Sequence, residues 1–411
     1  MTPTYHVEVL GGAYRTNGSA PAPRRVLLVD SYGGEVKGGS SAVLRDILHG
    51  VDRRRFVPVL ACLRDGPWPQ ELRQQGELAF AVPRRRYRSV GNVVSVVRGL
   101  VRLVREEDVS LIHASEASSF LYASLAGRLS GTPVVWHVHS PYAPGSISEK
   151  MIASMLARLR PSYAIFTSDG ARGRSPALAG IPGSVVHPGA DLERCRSGDR
   201  AQGRRLLGIP EDATVVSMFA RFGAMKGQME FVRCFASLAG DHPELYGVMC
   251  GIRRPHSAYG RRVQSALDAL GLGDRLLTPG YVASPEKDDV VAASDLVVHP
   301  SRAESFGLAV LEAMAAGRPV VATNTEGPSM LIEDGVNGML VPVDDVRALT
   351  AALQRLLEDP VLRSRLGASA SLQAEEYTLE RMVEGVEEVW GLVLGSGGLV
   401  TSSTGADVDE R

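Results

Sequence analysis

VVHPSRAESFGLAVLEAMAAGRPVVATNTEGPS, residues 297–329, predicts a buried strand, a loop, a helix and a second buried strand. The apolar run DLVVHPS comes before the loop RAES, and the helix FGLAVLEAMAA comes after it. Gly317 is the expected C-cap of that helix, just before the strand RPVVAT. Because apolar strands that alternate with helices are typical of parallel sheets covered on both faces, this stretch indicates an α/β fold.

Strands and helices alternate in this way twice along the chain. RRVLLVD, residues 24–30, begins the first series, and TVVSMFARF, residues 214–222, begins the second. The first series continues with FVPVLAC, VSLIHAS, TPVVWHVHS, PSYAIFTS and GSVVHPGA, and the second with LYGVMCGI, RLLTPGYV, DLVVHPS and RPVVAT. We therefore predict two Rossmann-like doubly wound parallel-sheet domains that face each other across a cleft.

The domain boundary is expected near residues 190–210. Residues 191–213 are polar and predict a linker that leads into a helix, and residues 344–395 predict three helices. The predicted parts are a flexible leader at 1–23, an N-terminal domain at 24–195, a C-terminal domain at 210–377 and a disordered tail at 396–411.

Composition limits the classes of protein to which the chain can belong. Its 411 residues suit two domains, and 44% apolar with 22% charged residues is typical of a soluble globular protein. A net charge of −1 argues against a general nucleic-acid binder. Four cysteines without a CxxC pair, no signal-peptide-like segment and no apolar run of about 20 residues favour a cytoplasmic protein without disulfides.

Glu304 and Glu312 are the first candidate ligand-binding residues. Glu304 precedes the predicted helix, and Glu312 lies within it, eight positions later. At about 100° per residue, Glu312 would lie within about 80° of Glu304 and two turns deeper, so both carboxylates could face one ligand and accept its sugar or ribose hydroxyls. The alternative is a helix-dipole role for Glu304 and an exposed position for Glu312.

The start of the same helix is a candidate site for ligand oxygens. Ser305 or a neighbour is expected to be the N-cap, and the amides of Phe306, Gly307 and Leu308 would then lack helical partners. These amides lie at the positive end of the helix dipole, which favours anionic or polar ligand atoms.

Arg221 and Lys226 form a second candidate site, in FARFGAMKGQMEFV, residues 219–232. Arg221 ends a strand, and Lys226 lies in the loop before the next helix. Two cations at a strand end can neutralise a diphosphate without a metal, whereas the alternative is a pair of ordinary surface residues. Only four of the 45 basic residues are lysines, which favours a specific need for a lysine at this position.

The N-terminal half offers two further features. GGEVKGGSSAV, residues 33–43, places glycines before a helix that starts near Ser40, so the backbone could approach a ligand, or the segment is a flexible turn. It has neither the GxGxxG spacing of a nicotinamide site nor the GK[ST] ending of a P-loop. His139 ends the apolar strand in VVWHVHSP and could bond a sugar hydroxyl or transfer a proton, unless it is a core histidine.

Together these features resemble the retaining glycosyltransferases of family 4, which have the GT-B fold, over residues 24–390. The most specific part is ESFGLAVLE with its Glu-x7-Glu spacing, followed by EAMAAGRPVVAT and EDGVNGMLVPVDD. The stretch from Arg221 to Gly227 has the family's R-F-x-x-x-K-G spacing, and Gly38, Gly39 and His139 match the pattern of its N-terminal half.

The resemblance implies that the C-terminal half binds a nucleotide-sugar donor. Arg221 and Lys226 would hold the diphosphate, Glu304 the hydroxyls of the transferred sugar and Glu312 the ribose. The other half would close on the donor through its glycine loop and His139, and the last helix, about 378–395, would cross back to it. The implied donor-binding residues are Gly38, Gly39, Arg221, Lys226, Glu304, Ser305, Phe306, Gly307, Leu308 and Glu312, and the implied catalytic residues are His139, Arg221, Lys226 and Glu304.

The expected function is retaining transfer of a sugar from a UDP- or GDP-sugar to a small-molecule or glycan acceptor, by front-face attack and without a metal or other cofactor. Neither nucleic-acid binding nor membrane contact is expected, although the arginines of PRRRYRS, residues 83–89, could meet an anionic acceptor or lipid headgroups. A nucleotide-sugar epimerase, a phosphorylase and a non-catalytic nucleotide-sugar-binding module remain alternatives. A dehydrogenase is disfavoured because the glycine fingerprint is missing.

One stretch departs from the pattern of the family. Members often have two glycines soon after the strand that corresponds to RPVVAT, which follows the helix FGLAVLEAMAA. Here, NTEGPSMLIED has Glu326 before a single Gly327. Met330 stands where an acidic residue is frequent. We expect donor binding to be retained and the recognition of the sugar or the acceptor to differ here.

Overall fold

The computed structural model describes residues 22–31, 33, 39–82, 90–139, 158–251 and 257–395. Within these ranges the chain forms two separate parallel sheets, one of seven strands and one of six. This confirms the predicted fold of two Rossmann-like doubly wound domains. No helix in the described ranges is long and apolar enough to cross a membrane.

The first sheet lies in the N-terminal half. Its strands are β1 (Arg24–Asp30), β2 (Phe56–Cys62), β3 (Ala79–Ala81), β4 (Val109–Ala114), β5 (Val134–Val138), β6 (Tyr163–Phe166) and β7 (Gly183–Val185), in the order β3-β2-β1-β4-β5-β6-β7. Its helices are α1 (Gly39–Gly50), α2 (Pro67–Gln74), α3 (Val90–Glu106), α4 (Ala117–Ser130) and α5 (Asp169–Gly173), with a 3-10 turn at Pro176–Leu178.

Side chains of β1 illustrate how the sheet is buried on both faces. Leu27 and Val29 pack in one apolar cluster, whereas Val26 and Leu28 pack in another on the opposite face. Successive strand residues point to opposite faces, so an unbroken apolar run is needed where both faces are covered. Because β1, β4 and β5 are parallel neighbours, their carboxyl ends meet at one edge of the sheet, where ligands of such sheets bind.

The second sheet lies in the C-terminal half. Its strands are β8 (Thr214–Phe219), β9 (Leu245–Cys250), β10 (Leu276–Gly280), β11 (Leu296–His299), β12 (Val320–Thr323) and β13 (Met339–Val341), in the order β10-β9-β8-β11-β12-β13. The helices that follow β7 are α6 (Leu192–Arg196), α7 (Arg200–Leu207), α8 (Gln228–Leu238), α9 (Ala258–Ala269), α10 (Glu286–Ala293), α11 (Leu308–Ala315), α12 (Glu326–Leu331), α13 (Val346–Glu358), α14 (Pro360–Ala374) and α15 (Leu379–Gly395), with a 3-10 turn at Ala224–Lys226.

The segment predicted to be a polar linker contains the two short helices α6 and α7. The side chains of Asp191 and Asp199 accept hydrogen bonds from the first-turn amides of these helices, which gives each an N-cap. A Cβ at Gly203, on α7, would overlap the carbonyl of Asp289 on α10, so α7 and α10 lie in close contact. The segment was predicted to be a linker that leads into a helix. Helix α7 corresponds to that predicted helix, whereas α6 is an additional short helix inside the expected linker.

The last helix, α15, packs on the first sheet. Trp390 is fully buried, and its indole N–H donates to Nδ1 of His113 over 3.1 Å. The ring of Trp390 meets that of Phe56 edge to face, with 5.3 Å between the centroids. The carboxylate of Glu387 on the same helix pairs with Arg55 at 2.6 Å. The described chain therefore ends on the domain in which it begins.

Several features of the sequence lie outside the described residues. They are the leader up to residue 21, Gly38 in the glycine loop, the arginine-rich segment 83–89 and the tail 396–411.

Candidate functional site

Glu304 lies in the loop between β11 and α11, with two basic side chains beside it. Its Oε2 is 2.5 Å from Nζ of Lys226 and 3.3 Å from Nε2 of His299. Burial alone would raise the pKa of Glu304, but the hydrogen bond and charge of His299 and the charge of Lys226 outweigh it and lower the pKa to about 2. The carboxylate is therefore ionised at neutral pH, and its Oε1 has no partner among the described residues.

Two contacts fix the loop of Lys226 against the loop of Glu304. Gly227 has a φ of +80°, and a Cβ there would overlap the carbonyl oxygen of Pro300. Arg302 donates to the carbonyl of Ala224 at 2.7 Å and pairs with Glu230 at 2.8 Å. The ammonium and the carboxylate are thus held together by backbone packing as well as by their own attraction.

The start of α11 differs from the prediction in one respect. Gly307, with a φ of +97°, is the N-cap residue, and no side chain in the described part of the chain caps this helix. The cap was expected to be Ser305 or a neighbour; it is Gly307, two residues later, which has no side chain to accept from the helix amides. The amides of Phe306, Gly307 and Leu308 have no hydrogen-bond partner within the described ranges, so they are available to a ligand.

Glu312, on α11, belongs to a separate ion-pair network. Its Oε2 pairs with Nζ of Lys287, and its Oε1 is 3.5 Å from Nη2 of Arg194. Arg194 also pairs with Asp288 at 2.7 Å. The predicted angle between Glu304 and Glu312 does not apply, because Glu304 lies in the irregular loop before the helix and only Glu312 is helical.

Arg221 follows β8, and its side chain is exposed. Its guanidinium makes no hydrogen bond or ion pair with any described residue. The backbone carbonyl of Arg221, in contrast, accepts a hydrogen bond from Nε2 of the buried Gln228 at 2.9 Å. The structure thus provides an unpaired cation and a paired one, Lys226, on the same strand-to-helix connection.

The N-terminal domain directly contacts α11, the helix that carries Glu312. A Cβ at Gly39, the first residue of α1, would lie 3.4 Å from Cδ1 of Leu308. Further along α1, burial raises the pKa of Asp46 to about 6. The positive charge of Arg194 lowers this pKa, and the negative charge of Glu312 raises it further. The start of α1 and the start of α11 therefore face each other, as the glycine-loop hypothesis requires for Gly39; Gly38 lies outside the described residues.

His139 immediately follows β5, at the carboxyl edge of the first sheet. Its Nε2 is 3.0 Å from the hydroxyl of Ser115, which follows β4, and its ring stacks on that of His137 with 4.2 Å between centroids. Burial lowers the pKa of His139 to about 3, so its ring is neutral at pH 7. Its Nδ1 has no partner in the described part of the chain, so it can exchange a hydrogen bond with a ligand.

Two buried histidines lie behind it. His113 and His137 are 0% and 1% exposed, and their rings meet edge to face at 5.3 Å. Burial lowers the pKa of both, to about 3 for His113. They are core residues.

Sequence reasoning missed three residues at the site. His299 had a signal, because it ends a strand in the same way as His139. Lys287 also had one, because it is one of only four lysines; Lys226 and Lys287 each pair with one of the two glutamates, and the other two lysines lie outside the described residues. Arg194 had no local signal, because its partners Asp288 and Glu312 are distant in sequence.

No group of three or more His, Cys, Asp or Glu side chains in the described ranges is arranged to hold a metal ion.

Comparison with known proteins identifies the family. The model of glycosyl transferases group 1 matches residues 199–373, and the model of Glycosyltransferase Family 4 matches residues 37–194. The chain is 30% identical over 312 residues to alpha-D-kanosaminyltransferase of Streptomyces kanamyceticus, covering 70% of this chain and 78% of that protein. It is also 30% identical over 317 residues to D-inositol 3-phosphate glycosyltransferase 1 of Catenulispora acidiphila, covering 73% and 75%.

Another relative and two solved structures complete the comparison. D-inositol 3-phosphate glycosyltransferase of Rhodococcus jostii is 35% identical over 207 residues, and the match spans 50% of this chain but only 46% of that protein. The structure of Anabaena HepE, solved with UDP and glucose, has a TM-score of 0.79 at 23% identity, covering 90% of this chain and all of that one. Sucrose-phosphate synthase of Thermosynechococcus elongatus has a TM-score of 0.75 at 20% identity, covering 91% of this chain and all of that one. The chain therefore belongs to the family 4 glycosyltransferases and has their two-domain GT-B fold.

Proposed function

We propose that the protein is a retaining glycosyltransferase that moves a sugar from a UDP- or GDP-sugar to a small-molecule or glycan acceptor, without a divalent metal. The observation that carries this proposal is the ionised carboxylate of Glu304, set between Lys226 and His299 beside the uncapped start of α11. A fixed carboxylate with one unpaired oxygen is suited to accept hydrogen bonds from sugar hydroxyls. A cation within 3 Å of it is suited to the adjacent phosphate.

Each charged group has a part in the proposed donor site. Arg221 and Lys226 neutralise the diphosphate, and the free amides at the start of α11 contact the sugar or phosphate. Glu312, whose two oxygens are already oriented by Lys287 and Arg194, accepts from the ribose hydroxyls. Orientation of a carboxylate before the ligand arrives reduces the free-energy cost of binding.

In the proposed reaction, the bond between the anomeric carbon and the leaving phosphate oxygen breaks while the acceptor oxygen bonds to the same face of that carbon. The acceptor proton passes to the leaving diphosphate, whose negative charge is stabilised by Lys226 and Arg221. Glu304 orients the sugar and does not attack it. His139, neutral at pH 7 and held by Ser115, presents Nδ1 to the donor sugar from the opposite domain.

The acceptor is proposed to be a small polyhydroxylated molecule. Two relatives that align over about three quarters of their length are named for transfer of kanosamine and for transfer to D-inositol 3-phosphate. We assign the acceptor to the carboxyl edge of the first sheet, where hydroxyl groups gather: the buried Ser115 beside His139, and the buried Ser31 with Ser118, whose hydroxyls are 2.6 Å apart.

Thermal-shift screening of UDP-, GDP- and ADP-sugars tests the donor site, because a ligand that binds the native state raises Tm by mass action. We expect one nucleotide class to raise Tm in the wild type, and to raise it less at the same concentration in Lys226→Ala. Donor consumption is then followed with and without candidate acceptors, in the presence of EDTA. Acceptor-dependent consumption with EDTA supports the proposal; conversion of the donor to an epimer without acceptor contradicts it, as does loss of activity in EDTA.

A further inference from the structure

Glu326, where the sequence departs from the family pattern, makes a contact between the two domains. Its carboxylate accepts a hydrogen bond from the hydroxyl of Ser168 and pairs with the guanidinium of Arg174. Glu326 is the first residue of α12 in the C-terminal domain, whereas Ser168 and Arg174 flank α5 in the N-terminal domain. We call this three-residue contact the Glu326 clasp.

The Glu326 clasp requires a glycine at position 170. A Cβ at Gly170, on α5, would overlap the carboxylate of Glu326. The Glu326 side chain is 13% exposed and that of Arg174 is 53% exposed, so the clasp lies at the margin of the interface. An ion pair that is half open to solvent contributes modestly and can separate, which suits a contact that must break when the cleft opens.

The clasp is connected, through the next residue Gly327, to the loop that holds Glu304. The amide of Gly327 donates to the carbonyl of Glu304 at 2.9 Å, and a Cβ at Gly327 would overlap the backbone of Phe306. The ring of Phe306 also stacks on His187, which follows β7 in the N-terminal domain, with 6.0 Å between centroids. The loop that holds Glu304 is therefore tied to the first domain on two sides.

We infer that Glu326 is a positioning residue: through Ser168 and Arg174 it favours the closed arrangement of the two domains, and through Gly327 it sets the loop of Glu304 in that arrangement. The catalytic part of this inference rests on the proposed function. The clasp touches neither Lys226 nor Arg221, so its loss leaves the proposed diphosphate contacts in place. Loss of the clasp should therefore lower kcat more than it weakens donor binding.

Charge reversal tests the clasp directly. Glu326→Arg and Arg174→Glu are each expected to lower kcat about tenfold, the effect of about 1.4 kcal/mol, with the donor KM within about threefold of wild type. The double variant, which restores an ion pair of reversed polarity, is expected to regain most of the loss. Glu333→Ala removes an exposed carboxylate of the same region that makes no hydrogen bond or ion pair with any described residue, and should match the wild type.

Small-angle X-ray scattering of the ligand-free protein gives a readout that does not depend on activity. We expect each single reversal to increase the radius of gyration and the double variant to reverse the increase, even if the protein proves not to be a transferase. Arg174→Glu leaves α12 unchanged, so a defect in that variant cannot come from the helix start. The inference is overturned if Arg174→Glu matches the wild type in both readouts, or if the double variant recovers neither.

Discussion

Replacement of Lys226 by alanine has two calculable effects. The first is on stability: Lys226 and Glu304 are 23% and 18% exposed, so removal of the lysine leaves a largely buried carboxylate with His299 as its remaining partner. Breaking a fully buried pair costs about 3–5 kcal/mol, and with this residual exposure we expect about 1–2 kcal/mol. For domains of this size that lowers Tm by about 2–8 °C.

The second effect of Lys226→Ala is on turnover. Removal of one fixed group that stabilises developing charge typically costs about 10²–10³ in kcat, and we expect a loss of this size at saturating donor. Lys226→Arg keeps the charge and should retain more activity, although a guanidinium cannot reproduce the compact ammonium beside Glu304. Initial rates at several donor concentrations separate kcat from KM. A Lys226→Ala protein that is folded and turns over within a few-fold of wild type would refute this account of the site.

Three further outcomes concern stability. Gly327→Ala would force a Cβ into the backbone of Phe306 and should cost about 1–3 kcal/mol, measured as a fall in Tm. Arg204→Met removes a 2% exposed guanidinium that donates to three backbone carbonyls, and should lower the urea midpoint by the equivalent of about 3–5 kcal/mol. Because burial lowers the pKa of His113 and His137 in the folded state, the unfolded chain binds more protons below pH about 6.5, and stability should fall by up to about 1.4 kcal/mol per histidine per pH unit. His137→Phe should move the acid-unfolding midpoint, followed by circular dichroism, to lower pH.

Much of the fold could be predicted because buried parallel strands are apolar throughout. RRVLLVD and FVPVLAC coincide with the observed strands β1 and β2 residue for residue. The three-residue strands β3 and β13 were missed, since each lies at the edge of its sheet, pairs on one side and carries no long apolar run. Helix α6 was missed because it is only five residues long and its stability comes from its cap and from packing on α10 and α11.

The candidate site could be predicted only in part. Glu304, Lys226 and Glu312 were proposed as site residues because their spacing in the sequence carries the family pattern, and the structure places Lys226 beside Glu304. Their mutual geometry was not predicted correctly, because it depends on a loop that ends in a left-handed Gly307 and not on helical periodicity. The Glu326 clasp joins residues 158 positions apart, and only the folded chain brings them together.

The central claim is transfer of a sugar with retention of configuration at the anomeric carbon. Proton NMR of the first product formed from the donor that binds best, recorded before any free sugar can mutarotate, tests this most directly. We predict a product with the same anomeric configuration as the donor, formed by the wild type and lost in Lys226→Ala. A product of inverted configuration, or no consumption of any UDP- or GDP-sugar with a range of polyhydroxylated acceptors, would contradict the account.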